Sequence, residues 1–85
     1  MAEVVFTESA FRHGYTEEDF YELLEGRYRK TRSHRGLNSA YELLGRNRNG
    51  DYLHVVYRVL SDGRFLVFHI SRMNETQRRR YQKKA

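Results

Sequence analysis

The clearest pattern along the chain is a period of two near its end. Leu53, Val55, Tyr57 and Val59 alternate with Tyr52, His54, Val56, Arg58 and Leu60, and Phe65, Val67 and His69 alternate with Leu66, Phe68 and Ile70. Alternate side chains of a strand point to opposite faces, so this stretch predicts two antiparallel strands joined at Asp62-Gly63. On that count His69 shares a face with Phe65 and Val67. Ser39 to Leu44 predicts a further strand, joined to the next by Arg46-Asn47-Arg48-Asn49-Gly50, in which Asn-Gly is a hairpin signal. A different period governs the first third. Phe20, Leu23 and Leu24 recur at helical spacing behind Thr16, a capping residue with Asp19 three positions on, and Gly26 follows as a stop. Val4-Val5-Phe6 is a short apolar run that reads as an edge strand or as the lead-in to a helical turn, and Thr7 to His13 reads as a brief helix ended by Gly14. Arg27 to Arg35 has little apolar content and reads as extended, with Tyr28 as its anchor. Asn74 caps a last helix whose stripe is Met73, Gln77 and Tyr81. The elements together predict an α+β fold: one domain over 1–85, an antiparallel sheet of three to four strands, N-terminal helices and a C-terminal helix.

At 85 residues the chain holds one small domain with a modest core. No apolar run approaches the roughly 18 residues of a membrane span, and Met1 to Ala10 lacks the pattern of a secretion signal. Cysteine is absent, which removes disulfide and thiolate chemistry. A cytoplasmic protein is the expectation. Charge changes the picture more than composition does. Residues 1–26 carry seven acids against Arg12 alone, a net −6, whereas 27–36 and 72–85 each carry +5. Two basic segments on a dipolar chain attract polyanions. Arg29, Lys30, Arg32 and Arg35 in the first segment, Arg46 and Arg48 in the turn, and Arg78 and Arg79 on the last helix are the candidate RNA-backbone contacts.

The four histidines, His13, His34, His54 and His69, lack metal-ligand spacing, and no glycine-rich phosphate loop occurs. Neither a metal nor a cofactor is expected. Cofactor-free RNA cleavage remains, since it needs only a base for the 2′-OH, an acid for the leaving oxygen and cations for the phosphorane. His13 beside Arg12 is the first candidate. His54 and Arg58, four apart on one strand, project from the same face. Arg72 sits where the last strand ends, a place where a side chain is fixed yet exposed. Tyr81 on the last helix completes the catalytic candidates, although its position on the apolar stripe equally fits packing, as Arg72 equally fits a salt bridge to the acidic first helix.

Several ordered segments resemble one family. They are Arg12-His13-Gly14 with the acidic amphipathic helix after it, Tyr41-Glu42-Leu43-Leu44-Gly45, Leu53-His54-Val55-Val56-Tyr57, and Ile70-Ser71-Arg72 leading into Gln77-Arg78-Arg79-Arg80-Tyr81. In this order they resemble the BrnT toxins of bacterial type II toxin–antitoxin pairs, over nearly the whole chain. The resemblance implies a RelE/ParE-like fold, endoribonuclease activity that stops translation, and neutralisation by a cognate antitoxin. It matches His13, Arg72 and Tyr81 to family positions. Ala40 stands where the family usually carries arginine, and the first helix is shorter than the family's.

Two functions follow as expectations. One is a metal-independent endoribonuclease toxin with RNA and an antitoxin as partners, present as a homodimer or a toxin–antitoxin hetero-oligomer. The alternative is a non-catalytic basic module that docks RNA or an acidic protein.

Overall fold

The computed structural model describes residues 3–32 and 40–83. His34, Arg35 and Ser39, singled out above, lie outside the described residues. The elements run β1 Val4–Phe6, a 3-10 turn Glu8–Phe11, α1 Glu17–Glu25, β2 Arg29–Arg32, β3 Ala40–Arg46, β4 Tyr52–Val59, β5 Phe65–Arg72 and α2 Glu75–Gln82. The class is α+β, as the sequence patterns predict. The sheet differs from the prediction: it has five strands in the order β1-β5-β4-β3-β2 and is mixed, because β1 pairs parallel with β5 while the other pairs are antiparallel. The predicted N-terminal helix over Thr7–His13 is a 3-10 turn of four residues.

Both additional strands are edge strands with weak sequence signals. β1 is three residues long, and β2 is Arg-Lys-Thr-Arg, with no apolar alternation. β2 is held by its register against β3, Arg29 opposite Leu44 to Arg32 opposite Tyr41. Charged side chains on an edge strand also discourage further strand pairing.

α1 starts with a reciprocal capping box. Thr16 Oγ1 accepts from Asp19 N, and Thr16 N donates to Asp19 Oδ2 at 2.8 Å. The other oxygen of Asp19 accepts from Asn47 Nδ2 at 3.0 Å, and Asn47 Oδ1 in turn accepts from Asp51 N. One carboxylate therefore fixes both the helix start and the β3–β4 turn, which closes through Gly50 at φ 86°. Arg48 ties the same turn to α1 through Glu25 at 2.8 Å and Glu22. α2 also begins with a capping box, formed by Asn74 and Gln77.

The sheet has two unlike faces. One carries Leu43, Leu53, Val55, Tyr57, Val67 and Ile70 and packs beneath Phe20, Leu23 and Ala10. α1 is only about 13 Å long at 1.5 Å per residue, so it leaves part of this face as a groove of about 600 Å³ bordered by Tyr21, Leu24, Tyr28 and Phe65. The other face carries Leu44, which packs with Met73 and Tyr81 under α2, and beyond α2 it carries Glu42, His54, Val56 and Ser71.

Between these faces β5 has a bulge. Val56 lies opposite His69, yet the next residue, Tyr57, lies opposite Val67, so Phe68 is the extra residue. Because the side-chain period is two, one extra residue reverses the faces. His69 therefore stands with His54 and Val56, on the face opposite Val67. This corrects the simple alternation, which put His69 with Phe65 and Val67.

Two outcomes follow from the core. An added methyl at Gly45 would stand 2.6 Å from Leu23 Cγ, so Gly45→Ala is expected to cost about 1–3 kcal/mol in a denaturant titration, and to cost less when introduced into a Leu23→Ala background. Tyr57 is buried, chiefly by desolvation its phenol is pushed above its ordinary range, and a raised folded-state pKa gives stability that is present below the unfolded value and lost as pH rises through the folded one. Thermal stability is expected to fall in alkaline solution above about pH 10, and less steeply in Tyr57→Phe. Equal slopes in the two proteins would contradict this.

Candidate functional site

The bulge gives β5 a hydrogen-bonding handle on its outer edge. Thr7 N donates to Val67 O at 3.0 Å, and Ser9 Oγ donates to Phe68 O at 3.0 Å. Where β1 stops pairing at Phe6, the 3-10 turn thus takes over the edge of β5. Successive turn bonds, Arg12 N to Ser9 O and Gly14 N to Phe11 O, carry the chain to His13, and Gly14 releases it at φ 89°. At that point the His13 ring meets His69, with centroids 5.3 Å apart and planes at 67°.

His69 in turn meets His54, at 5.4 Å and 63°. Behind His54 lies Glu42, its register neighbour's neighbour on β3, with Oε1 2.8 Å from His54 Nε2. Three imidazoles and a carboxylate thus form one row, running from exposed His13 through half-buried His69 to His54, 3% exposed, and Glu42, 9% exposed. An ionised Glu42 carboxylate can only accept, and in that state Nε2 of His54 is the donor. A buried polar pair of this kind is tolerated because each partner satisfies the other; removal of one leaves about 1–3 kcal/mol of uncompensated desolvation. His69 Nε2 lies 2.8 Å from Ser71 Oγ, which fixes its ring. Among the described residues, no group of three or more His, Cys, Asp or Glu could hold a metal ion.

Of the residues expected from sequence, His13 and His54 belong to this row, joined by His69 rather than directly. Arg58 shares the face of His54 but stands about 13 Å along the strand; it is exposed, opposite Ala40 and Leu66. Arg72 lies elsewhere. Its register partner is Leu53, on the α1 face, and its Nε donates to Tyr15 Oη at 3.4 Å. That contact, and then the charge of Asp51, holds its guanidinium above its usual range. No ion pair between Arg72 and α1 occurs among the described residues.

Tyr81 is buried beneath Arg27, whose guanidinium carbon is 4.3 Å from the ring centroid, and its hydroxyl donates to Arg27 O at 2.9 Å. Packing is therefore its evident task. Arg27 returns a bond to Tyr81 O at 2.9 Å, while Arg29 Nη1 donates to Arg80 O and, at 3.1 Å, to Lys83 O. Cations at these carbonyls complement the negative end of α2. Arg29 and Arg48 thus serve the fold, and Lys30 lies 4.8 Å above the Tyr41 ring. Arg32 is exposed at the end of β2, and Arg79 is paired loosely with Glu75 at 3.7 Å.

Another group of cations gathers at the α2 end. Arg46 and Arg78 both cover the Tyr52 ring, at 4.7 and 4.1 Å, and Arg78, Arg72, Tyr52 and Asp51 border a cleft of about 150 Å³ at the start of α2. The Tyr52 phenol is lowered from its ordinary range, first by Gln82 and then by Arg78.

Sequence reasoning did not assign a role to Glu42, His69 or Ser71. Glu42 was legible as an acid inside an apolar strand, a place where a carboxylate requires a partner. His69 was hidden by the bulge. No protein-family model, curated protein or solved structure matches this chain, and among the described residues no helix is long and apolar enough to cross a membrane.

Proposed function

We propose that the protein is a metal-independent endoribonuclease of the BrnT-like toxin kind, with a RelE/ParE-like fold, which stops translation in the bacterial cytoplasm until an antitoxin masks it. The observation that carries this reading is the row His13–His69–His54–Glu42. Imidazoles exchange protons near neutral pH, so one face of the sheet offers both a base for the 2′-OH and an acid for the leaving oxygen with no added group. Arg58 on that face, and Arg46, Arg78 and Arg72 around the α2 cleft, supply phosphate contacts. Their attraction for RNA is electrostatic and therefore salt-dependent. The resemblance to BrnT toxins adds the antitoxin, an acidic partner that the same cations suit.

A second reading, a binding module that holds RNA without cutting it, draws support from two observations. Arg72 faces away from the histidines, and position 40 is a fully buried alanine where the resemblance leads one to expect arginine.

Induced expression in a bacterial host separates the two. The ribonuclease reading expects growth arrest with new RNA fragments, lost in His13→Ala at equal soluble expression. Arg72→Ala is expected to retain cleavage with weaker, less salt-sensitive RNA binding. Normal growth with intact RNA, from protein that still binds RNA in vitro, would overturn the ribonuclease and leave the binding module.

A further inference from the structure

His69 and Glu42 are not among the residues to which sequence or resemblance assigns a task. We infer that His69 is the second proton-transfer group, working with His13 on one phosphodiester, and that the buried Glu42–His54 pair is a positioning element that sets the charge of this histidine couple. The inference rests on the ribonuclease reading.

In the reaction the base takes the 2′-OH proton, and the 2′ oxygen forms a bond to phosphorus. The P–O5′ bond breaks, and the departing oxygen takes a proton from the acid. The products are a 2′,3′-cyclic phosphate and a 5′-hydroxyl, so one proton is removed and one returned. Two groups in opposite protonation states must therefore flank the phosphate.

Only certain side chains stand where this is possible. Arg72 is on the other face, and Tyr81 is buried under α2. The ring in contact with exposed His13 is that of His69, at 5.3 Å between centroids. At this spacing one imidazole of the couple can serve as the base and the other as the acid.

Glu42 acts from behind. Its carboxylate holds His54 Nε2 at 2.8 Å, and the His54 ring lies edge-on to His69 at 5.4 Å. The pair fixes the His54 ring, and an ionised Glu42 carboxylate at the inner end of the row would stabilise positive charge on the couple, opposed by Arg12, next to His13 in the chain, and by Arg58 farther along the face. His69 also meets neutral Ser71 on its own strand, and the Tyr52–Arg78 cluster lies farther along the face beneath α2.

The test is the pH–rate profile for cleavage of a short RNA by the full chain, with histidine ring titrations followed by NMR in the same samples. Wild type is expected to give a bell-shaped profile. His69→Asn should lower the rate by about 10²–10⁴-fold and remove one limb. Glu42→Gln should move the His69 titration and the matching limb to lower pH, a change that packing alone would not produce. His69→Gln, which keeps a polar group for Ser71, serves as a second variant should asparagine loosen the strand. Cleavage by His69→Asn or His69→Gln with both limbs intact overturns the assignment and leaves the ribonuclease reading standing. Wild-type protein that does not cleave at any pH overturns the ribonuclease reading and this assignment with it.

Discussion

The side of the sheet on which His69 stands depends on the single extra residue in β5. Phe68 has no partner across the ladder, and the strand on either side of it presents opposite faces to the same neighbour. Below the bulge, Phe65 and Val67 fill the core beneath α1. Above it, His69 and Ser71 turn to the other side and join His54. The bulge also leaves the Phe68 carbonyl on the outer edge, where Ser9 binds it. That bond seats the 3-10 turn which delivers His13. A regular strand would place His69 in the apolar core, where an imidazole is costly without a partner, and away from the His13 ring.

The positive charge of the chain divides into two groups with different work. Arg27 and Arg29 close the end of α2, and Arg48 clamps the β3–β4 turn to the acids of α1. These cations hold together a domain too small to rely on its core alone. Exposed ion pairs are individually weak; their value here is geometric, because they reach across elements that otherwise share few apolar contacts. Arg32, Arg46, Arg58, Arg72 and Arg78 are among the described cations that stay exposed. The excess of charge in the sequence thus overstates the positive surface that is free of work within the fold.

Much of the fold was legible because its signals are local. Thr16 with Asp19 and Asn74 with Gln77 form the capping boxes their spacing promises, and the alternation from Tyr52 to Val59 gives β4 its two faces. Turns at Gly50 and Gly63 adopt the positive φ that glycine permits. What the sequence hid was non-local. β1 is a strand only because β5 runs beside it, 61 positions later in the register Val4–Phe65, and β2 has no apolar pattern at all. Of the candidate site, His13 and His54 were readable as histidines in suggestive places. Their connection was not, since it passes through a residue whose orientation is set by a bulge and ends on a carboxylate in a different strand. Arg72 illustrates the opposite error: proximity in sequence to the strand end says nothing of the face.

The central claim is that this row of side chains cleaves RNA by attack of its own 2′-hydroxyl. The most direct measurement incubates the purified protein with an end-labelled RNA oligonucleotide in the presence of a chelator, beside the same oligonucleotide carrying a 2′-deoxy residue at the cleaved position. The account predicts fragments that end in a 2′,3′-cyclic phosphate, or the 3′-phosphate formed from it by hydrolysis, and no cut at the deoxy residue. Fragments with 3′-hydroxyl ends, or equal cleavage of the deoxy substrate, would contradict it.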